Sequence, residues 1–101
     1  MKILGCDWDD TNRSKLSLHE LTPEDVETLL MDESGEAVFF PHPTNVDRWM
    51  ALGFVPGDRF VLVVFEYWID LRWARVVTAY ETEADKPWEK YKALRAARHR
   101  R

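Results

Sequence analysis

The sequence predicts an α+β domain: a small antiparallel sheet of about four to five strands, with two helices before it and one after. Three observations carry this reading. Apolar and aromatic residues crowd into three strand-length runs between Arg48 and Tyr80, rich in the β-branched and aromatic types that suit a pleated surface. Thr22-Pro23-Glu24-Asp25 has the chemistry of a helix start, with a hydroxyl cap, proline at the first helical position and acids in the first turn. After Glu81 the chain turns strongly charged, with Trp88, Tyr91 and Leu94 spaced along one helical face. A chain of 101 residues supports one modest core, so a single domain over 1–101 is expected, with a basic tail from about residue 95.

Taken in order, Lys2 to Trp8 reads as a short first strand. Asp9-Asp10-Thr11-Asn12 then offers caps for a helix of about two turns ending at Leu18. The helix begun at Thr22 buries Val26, Leu29 and Leu30 and ends before Ser34-Gly35. A strand around Glu36 to Phe40 is closed by Pro41-His42-Pro43, where His42 belongs to a stiff loop. The three strands of the meander follow: Arg48 to Val55, Arg59 to Tyr67, and Leu71 to Tyr80. Pro56-Gly57-Asp58 supplies the first tight turn. A final helix spans about Glu83 to Arg98, with Pro87 in its first turn, where a missing N–H is tolerated. All helices are expected on one face of the sheet. Strict alternation of the last strand puts Leu71, Trp73, Arg75, Val77 and Ala79 on one side.

Composition narrows the function classes. The net charge is −4, and all 18 acidic residues lie between Asp7 and Glu89, while the last eleven residues carry five positive charges and no negative ones. An acidic body repels polyphosphate at long range, which argues against strong nonspecific nucleic-acid binding. The basic end is read first as a helix terminus whose cations favour the negative end of the helix dipole. One cysteine, Cys6, allows no internal disulfide, and no Cys/His spacing fits zinc. Asp7, Asp9 and Asp10 have the look of a metal site, with Asp7 and Asp9 on one side if the strand continues, but capping of the next helix explains Asp9 and Asp10 without a metal. No apolar run is long enough for a bilayer, and acidic residues stand where a signal peptide would continue its apolar region. A cytoplasmic setting is expected.

Several dispersed motifs share one pattern. They are Trp8-Asp9, Asn12-Arg13, Leu16, His19, Thr22 with Glu24-Asp25, Arg48-Trp49-Met50-Ala51-Leu52-Gly53, Gly57-Asp58-Arg59 before Val61 to Phe65, and Arg75-Val76-Val77-Thr78-Ala79. In these the sequence resembles the BrnT family, the toxin half of bacterial type II toxin–antitoxin pairs, small proteins of RelE-like fold. Two departures stand out. Leu18-His19-Glu20 replaces the family's Lys-His-Gly, and Tyr80 replaces an arginine, with Glu81-Thr82-Glu83-Ala84-Asp85 following where the family has a basic helix.

The resemblance implies an endoribonuclease that inhibits translation, needs no cofactor or metal, and is neutralised by an antitoxin protein. Such a reaction needs a base for the ribose 2′-hydroxyl, a cation for the charge developing on phosphorus, and an acid for the leaving oxygen. Arg59 and Arg75, on neighbouring strands, are the candidate phosphate-binding catalytic residues, because a guanidinium pairs two phosphate oxygens and stays charged. Arg72, nearer the hairpin end, is a further candidate for RNA binding. The alternative for these arginines is ion pairing with Glu66, Asp70 or Glu81. His19 is the candidate acid–base, since imidazole titrates near neutrality; its alternative is a bond to a helix-end carbonyl. Tyr80 offers a hydroxyl or a stacking face for a base, or simply packs at the rim. Trp68, beside a hairpin loop, is the candidate anchor for a protein partner or for self-association. The acidic edge keeps a second function open: a catalytically silent relative on the same scaffold, acting as a protein-binding or regulatory module.

Overall fold

The computed structural model describes residues 1–32, 34–82 and 85–98. Its elements run β1 (Gly5–Asp7), α1 (Asp10–Leu18), α2 (Pro23–Leu30), β2 (Val38–Pro41), β3 (Trp49–Val55), β4 (Arg59–Trp68), β5 (Trp73–Glu81) and α3 (Asp85–Arg98). The order is the one the sequence predicts, and the α+β class holds. The sheet has five strands in the order β1-β5-β4-β3-β2. The position called basic tail is helical through Arg98, while residues 99–101 lie outside the described residues.

Local chemistry fixes both early helices. Asp9 caps α1 by accepting from the Asn12 N–H at 2.9 Å, and the Asn12 side-chain oxygen accepts from the Asp9 N–H at 2.8 Å. Thr22 and Asp25 make the same reciprocal pair at the start of α2, both bonds at 3.1 Å, with Pro23 following the cap. Each closed box satisfies two N–H groups that the helix geometry leaves without partners. Val26, Leu29 and Leu30 are buried as the spacing requires.

Three expectations about the sheet are corrected. The sheet is mixed, not antiparallel throughout: β1 pairs in parallel with β5, Gly5 beside Trp73 and Asp7 beside Arg75. The chain crosses the sheet through α1 and α2 before its other strands form, and such crossovers permit parallel pairing. Nor do the helices share one face. Val61, Val63 and Phe65 join Leu16, Val26 and Leu29 in one core, whereas Leu62 and Leu52 join Val38, Phe40 and Tyr91 in another. Val61 to Phe65 is buried on both sides, so the sheet must be covered on both faces; α1 and α2 take one, and α3 packs across β2 and β3 on the other. Lastly, β5 does not alternate strictly. Val64 pairs with Thr78 and Phe65 with Val76, leaving Val77 as a bulge. The extra residue shifts the phase, so Ala79 is buried in the same core as Ala74 and Val76.

Packing accounts for the rest. Gly53 lets α2 approach β3 closely: a Cβ there would come within 3.2 Å of Leu29 Cγ and 3.3 Å of Ala37 Cβ. Phe65, Leu16 and Leu29 are almost wholly excluded from water, each worth about 1.5–3 kcal/mol in transfer free energy. The α3 side is aromatic. Tyr91 stacks on Trp88 at 5.6 Å between ring centroids and meets Phe60 edge-on at 5.2 Å, while the Lys90 ammonium lies 4.3 Å from the Phe40 ring centroid.

Candidate functional site

The antiparallel pairing of β4 with β5 brings the start of one strand beside the end of the other. Arg59, in register with Val55 on β3, therefore lies near Glu81 and the turn between α1 and α2. That turn ends α1 in a Schellman arrangement. The Leu21 N–H donates to the Leu16 carbonyl at 3.0 Å and the Glu20 N–H to the Ser17 carbonyl at 3.1 Å. The arrangement puts Glu20 in the left-handed region, φ 57°, a conformation in which an L side chain costs roughly 1–2 kcal/mol. Arg59 braces this turn. Its Nη1 donates to the Glu20 carbonyl at 2.8 Å, Nη2 to the His19 carbonyl at 3.2 Å, and Nε to Glu81 Oε2 at 3.2 Å. The exposed His19 ring sits 5.9 Å from the Tyr80 ring, centroid to centroid. A guanidinium, an imidazole, a phenol and the Glu81 carboxylate thus come from β4, β5 and the α1–α2 turn to one end of the sheet.

Arg75 is elsewhere. It faces Glu66 across β4 and β5 and Asp7 across β1. Arg59 and Glu66 lie seven positions apart along β4, a run of roughly 23 Å at strand spacing, and the parity of that strand puts Arg59 and Glu66 on opposite faces. Arg75 donates to Asp7 Oδ2 at 3.0 Å and to Asp9 Oδ2 at 2.5 Å. The N–H of Asn12 and then the Arg75 guanidinium hold the Asp9 carboxyl below its ordinary value. Conversely, Asp9 first and Asp7 second push Arg75 upward. Arg72 (φ 53°) and Trp68 lie at the β4–β5 hairpin tip, both exposed. Their neighbours Ile69 and Leu71 are 75% and 65% exposed.

The predicted residues thus fall into two groups. His19, Arg59 and Tyr80 meet at one end of the sheet; Trp68, Arg72 and Arg75 lie toward the other. Glu81, the acid that completes the first group, was foreseeable as an ion-pair partner. The left-handed backbone of Glu20 had one signal in the sequence, the glycine that the resembled family carries at that position. Asp9 was readable as a helix cap, but its second task, pairing Arg75, required the parallel β1–β5 register. His42 Nδ1 accepts from the N–H groups of Asn45 at 3.0 Å and Thr44 at 3.2 Å, so it stabilises its own loop. Burial, then the charge of Glu27, pushes the Cys6 thiol up to about 12, which leaves it protonated and a poor nucleophile. Among the described residues no three His, Cys, Asp or Glu side chains are grouped to hold a metal ion. No described helix is long and apolar enough to cross a membrane.

No protein-family model matches the sequence, and no curated protein matches it either. Among solved structures, the chain is similar to the 1.1 Å crystal structure of the ribonuclease toxin BrnT of Brucella abortus. The match has a TM-score of 0.56 at 26% sequence identity and covers 83% of this chain and 99% of that one. The chain therefore has a BrnT-like toxin fold, and the resemblance carried by its dispersed motifs is matched in three dimensions.

Proposed function

We propose that the protein is the toxin of a toxin–antitoxin pair, a small endoribonuclease that inhibits translation in the cytoplasm and is neutralised by an antitoxin protein. The observation that carries this reading is the cluster of His19, Tyr80 and Arg59 at one end of a sheet whose fold is shared with a ribonuclease toxin. His19 takes the 2′-hydroxyl proton, the 2′-oxygen attacks phosphorus, and the 5′-oxygen leaves with a proton from the same side chain or from Tyr80. The Tyr80 face stacks on the neighbouring base. His19 is exposed, so its replacement leaves the core intact.

The test is cleavage of a labelled single-stranded RNA by purified protein in EDTA, comparing the parent with His19→Ala. General acid–base catalysis contributes about 10²–10⁴-fold, and a loss of roughly 100-fold in kcat is expected. A second reading has its own observation: Arg59 and Arg75 are already paired with carboxylates, Glu81 in one case and Asp7 and Asp9 in the other. Folded parent protein that neither cleaves RNA nor arrests growth when expressed would favour the silent binding module.

A further inference from the structure

We infer that Arg59, Glu81 and Glu20 form a positioning device for the proposed reaction, with Arg59 acting through the α1–α2 turn that carries His19. This rests on the ribonuclease reading of the same site. A guanidinium has five N–H donors, and three of those on Arg59 are engaged: one with Glu81 and two with the consecutive carbonyls of His19 and Glu20. A phosphate clamp presents a two-pronged edge to its anion. Here both terminal nitrogens already hold backbone oxygens, and a carboxylate neutralises the charge from the Nε side. The geometry is that of a strut between the sheet and a helix end.

What the strut holds is a turn under strain. Glu20 occupies the left-handed position of the Schellman turn with φ 57°, where glycine is the residue of choice. Without a glycine the turn has a competing relaxed state, and relaxation would carry the adjacent His19 away from Tyr80. Arg59 fastens both carbonyls that flank this strained position, and Glu81 fixes the guanidinium from β5, the strand that bears Tyr80. The His19–Tyr80 separation is thus set by contacts that never touch substrate. A displacement of about 1 Å at a reacting group can lower a rate about 100-fold.

The experiment combines RNA cleavage with the ring proton resonances of His19, which the current of the Tyr80 ring shifts at this distance. Arg59→Ala is expected to lower kcat about 100-fold with KM within twofold, and to move the His19 resonances toward those of Tyr80→Leu. Adding Glu20→Gly, which relieves the turn, should restore most of kcat and return the His19 resonances. Glu81→Gln, which keeps the shape and loses the charge, should move both readouts in the direction of Arg59→Ala by a smaller amount. If Arg59→Ala leaves the His19 resonances unmoved, or if its effect is a rise in KM that Glu20→Gly does not rescue, the positioning role is overturned. A parent protein that cleaves no RNA sinks the ribonuclease reading instead, and the resonance shifts still decide whether Arg59 and Glu81 set the place of His19.

Discussion

Asp9 combines two tasks that usually fall to different residues: it caps α1 and it pairs with Arg75. Both lower its pKa, through the hydrogen bond from the Asn12 N–H and through the bond to and charge of the Arg75 guanidinium. A carboxyl depressed in the folded state contributes stability above its unfolded value, near 3.9. That contribution is lost as pH falls through the folded value, because the unfolded chain then binds the proton more readily. Asp9→Asn separates the two tasks, since asparagine caps a helix about as well as aspartate but neither titrates nor pairs. The variant should be less stable than the parent at neutral pH, and the difference should shrink as pH drops below about 4. Urea midpoints from about pH 7 to about pH 2 would test this. A gap that stays constant across the range would show that the charge of Asp9 is not the source of its stabilisation.

At the scale of elements, α1 is both a helix and the neighbour of an exposed strand edge. β1 covers only Trp73 to Arg75 of β5; beyond it the edge is taken over by Asn12. This side chain is buried, and its Nδ2 donates to the Asp7 carbonyl at 2.9 Å and the Val76 carbonyl at 3.1 Å. Asn12→Ala should therefore cost about 2–3 kcal/mol, since it strips two carbonyls and half of a capping box. Thr22→Ala, which removes one exposed cap bond, should cost about 1 kcal/mol. Equal losses in chemical denaturation would deny Asn12 its bridging role.

The same contrast explains what the sequence made legible. Helix starts at Asp9 and Thr22 were readable because caps involve residues three apart, and Val26, Leu29 and Leu30 were readable as core because a helix repeats. The parallel pairing of β1, the bulge at Val77 and the two-sided covering of the sheet depend on partners many residues away. So did the candidate site. Arg59 and Arg75 lie on adjacent strands, but antiparallel order sends them to opposite ends, and parity sends them to opposite faces. Glu81 was one of three acids that could have paired with the strand arginines, and the β4–β5 register selected it for Arg59; pairing of Arg75 with Asp7 and Asp9 needed the register of the first strand.

At the scale of the whole molecule, charge sets how the proposed ribonuclease would meet RNA. The chain carries a net charge of −4, and its two sheet arginines of interest are already neutralised by neighbouring acids. Proteins that hold RNA through many cations lose affinity steeply with salt, with a slope of about −0.7 per phosphate contact on a single strand in a plot of log K against log salt. If contact is confined to the end of the sheet bearing Arg59, one or two phosphates are engaged, and the slope should lie between about −0.7 and −1.4. Binding then depends on stacking against Tyr80 more than on the charge of the body. Fluorescence anisotropy of a short labelled RNA, titrated with His19→Ala protein to prevent cleavage, measures the slope directly. A value steeper than about −3 would mean that four or more phosphates are neutralised. The cations of α3, Lys86, Lys90, Lys92 and Arg95, would then be the place to find them, on the face of the sheet opposite Arg59.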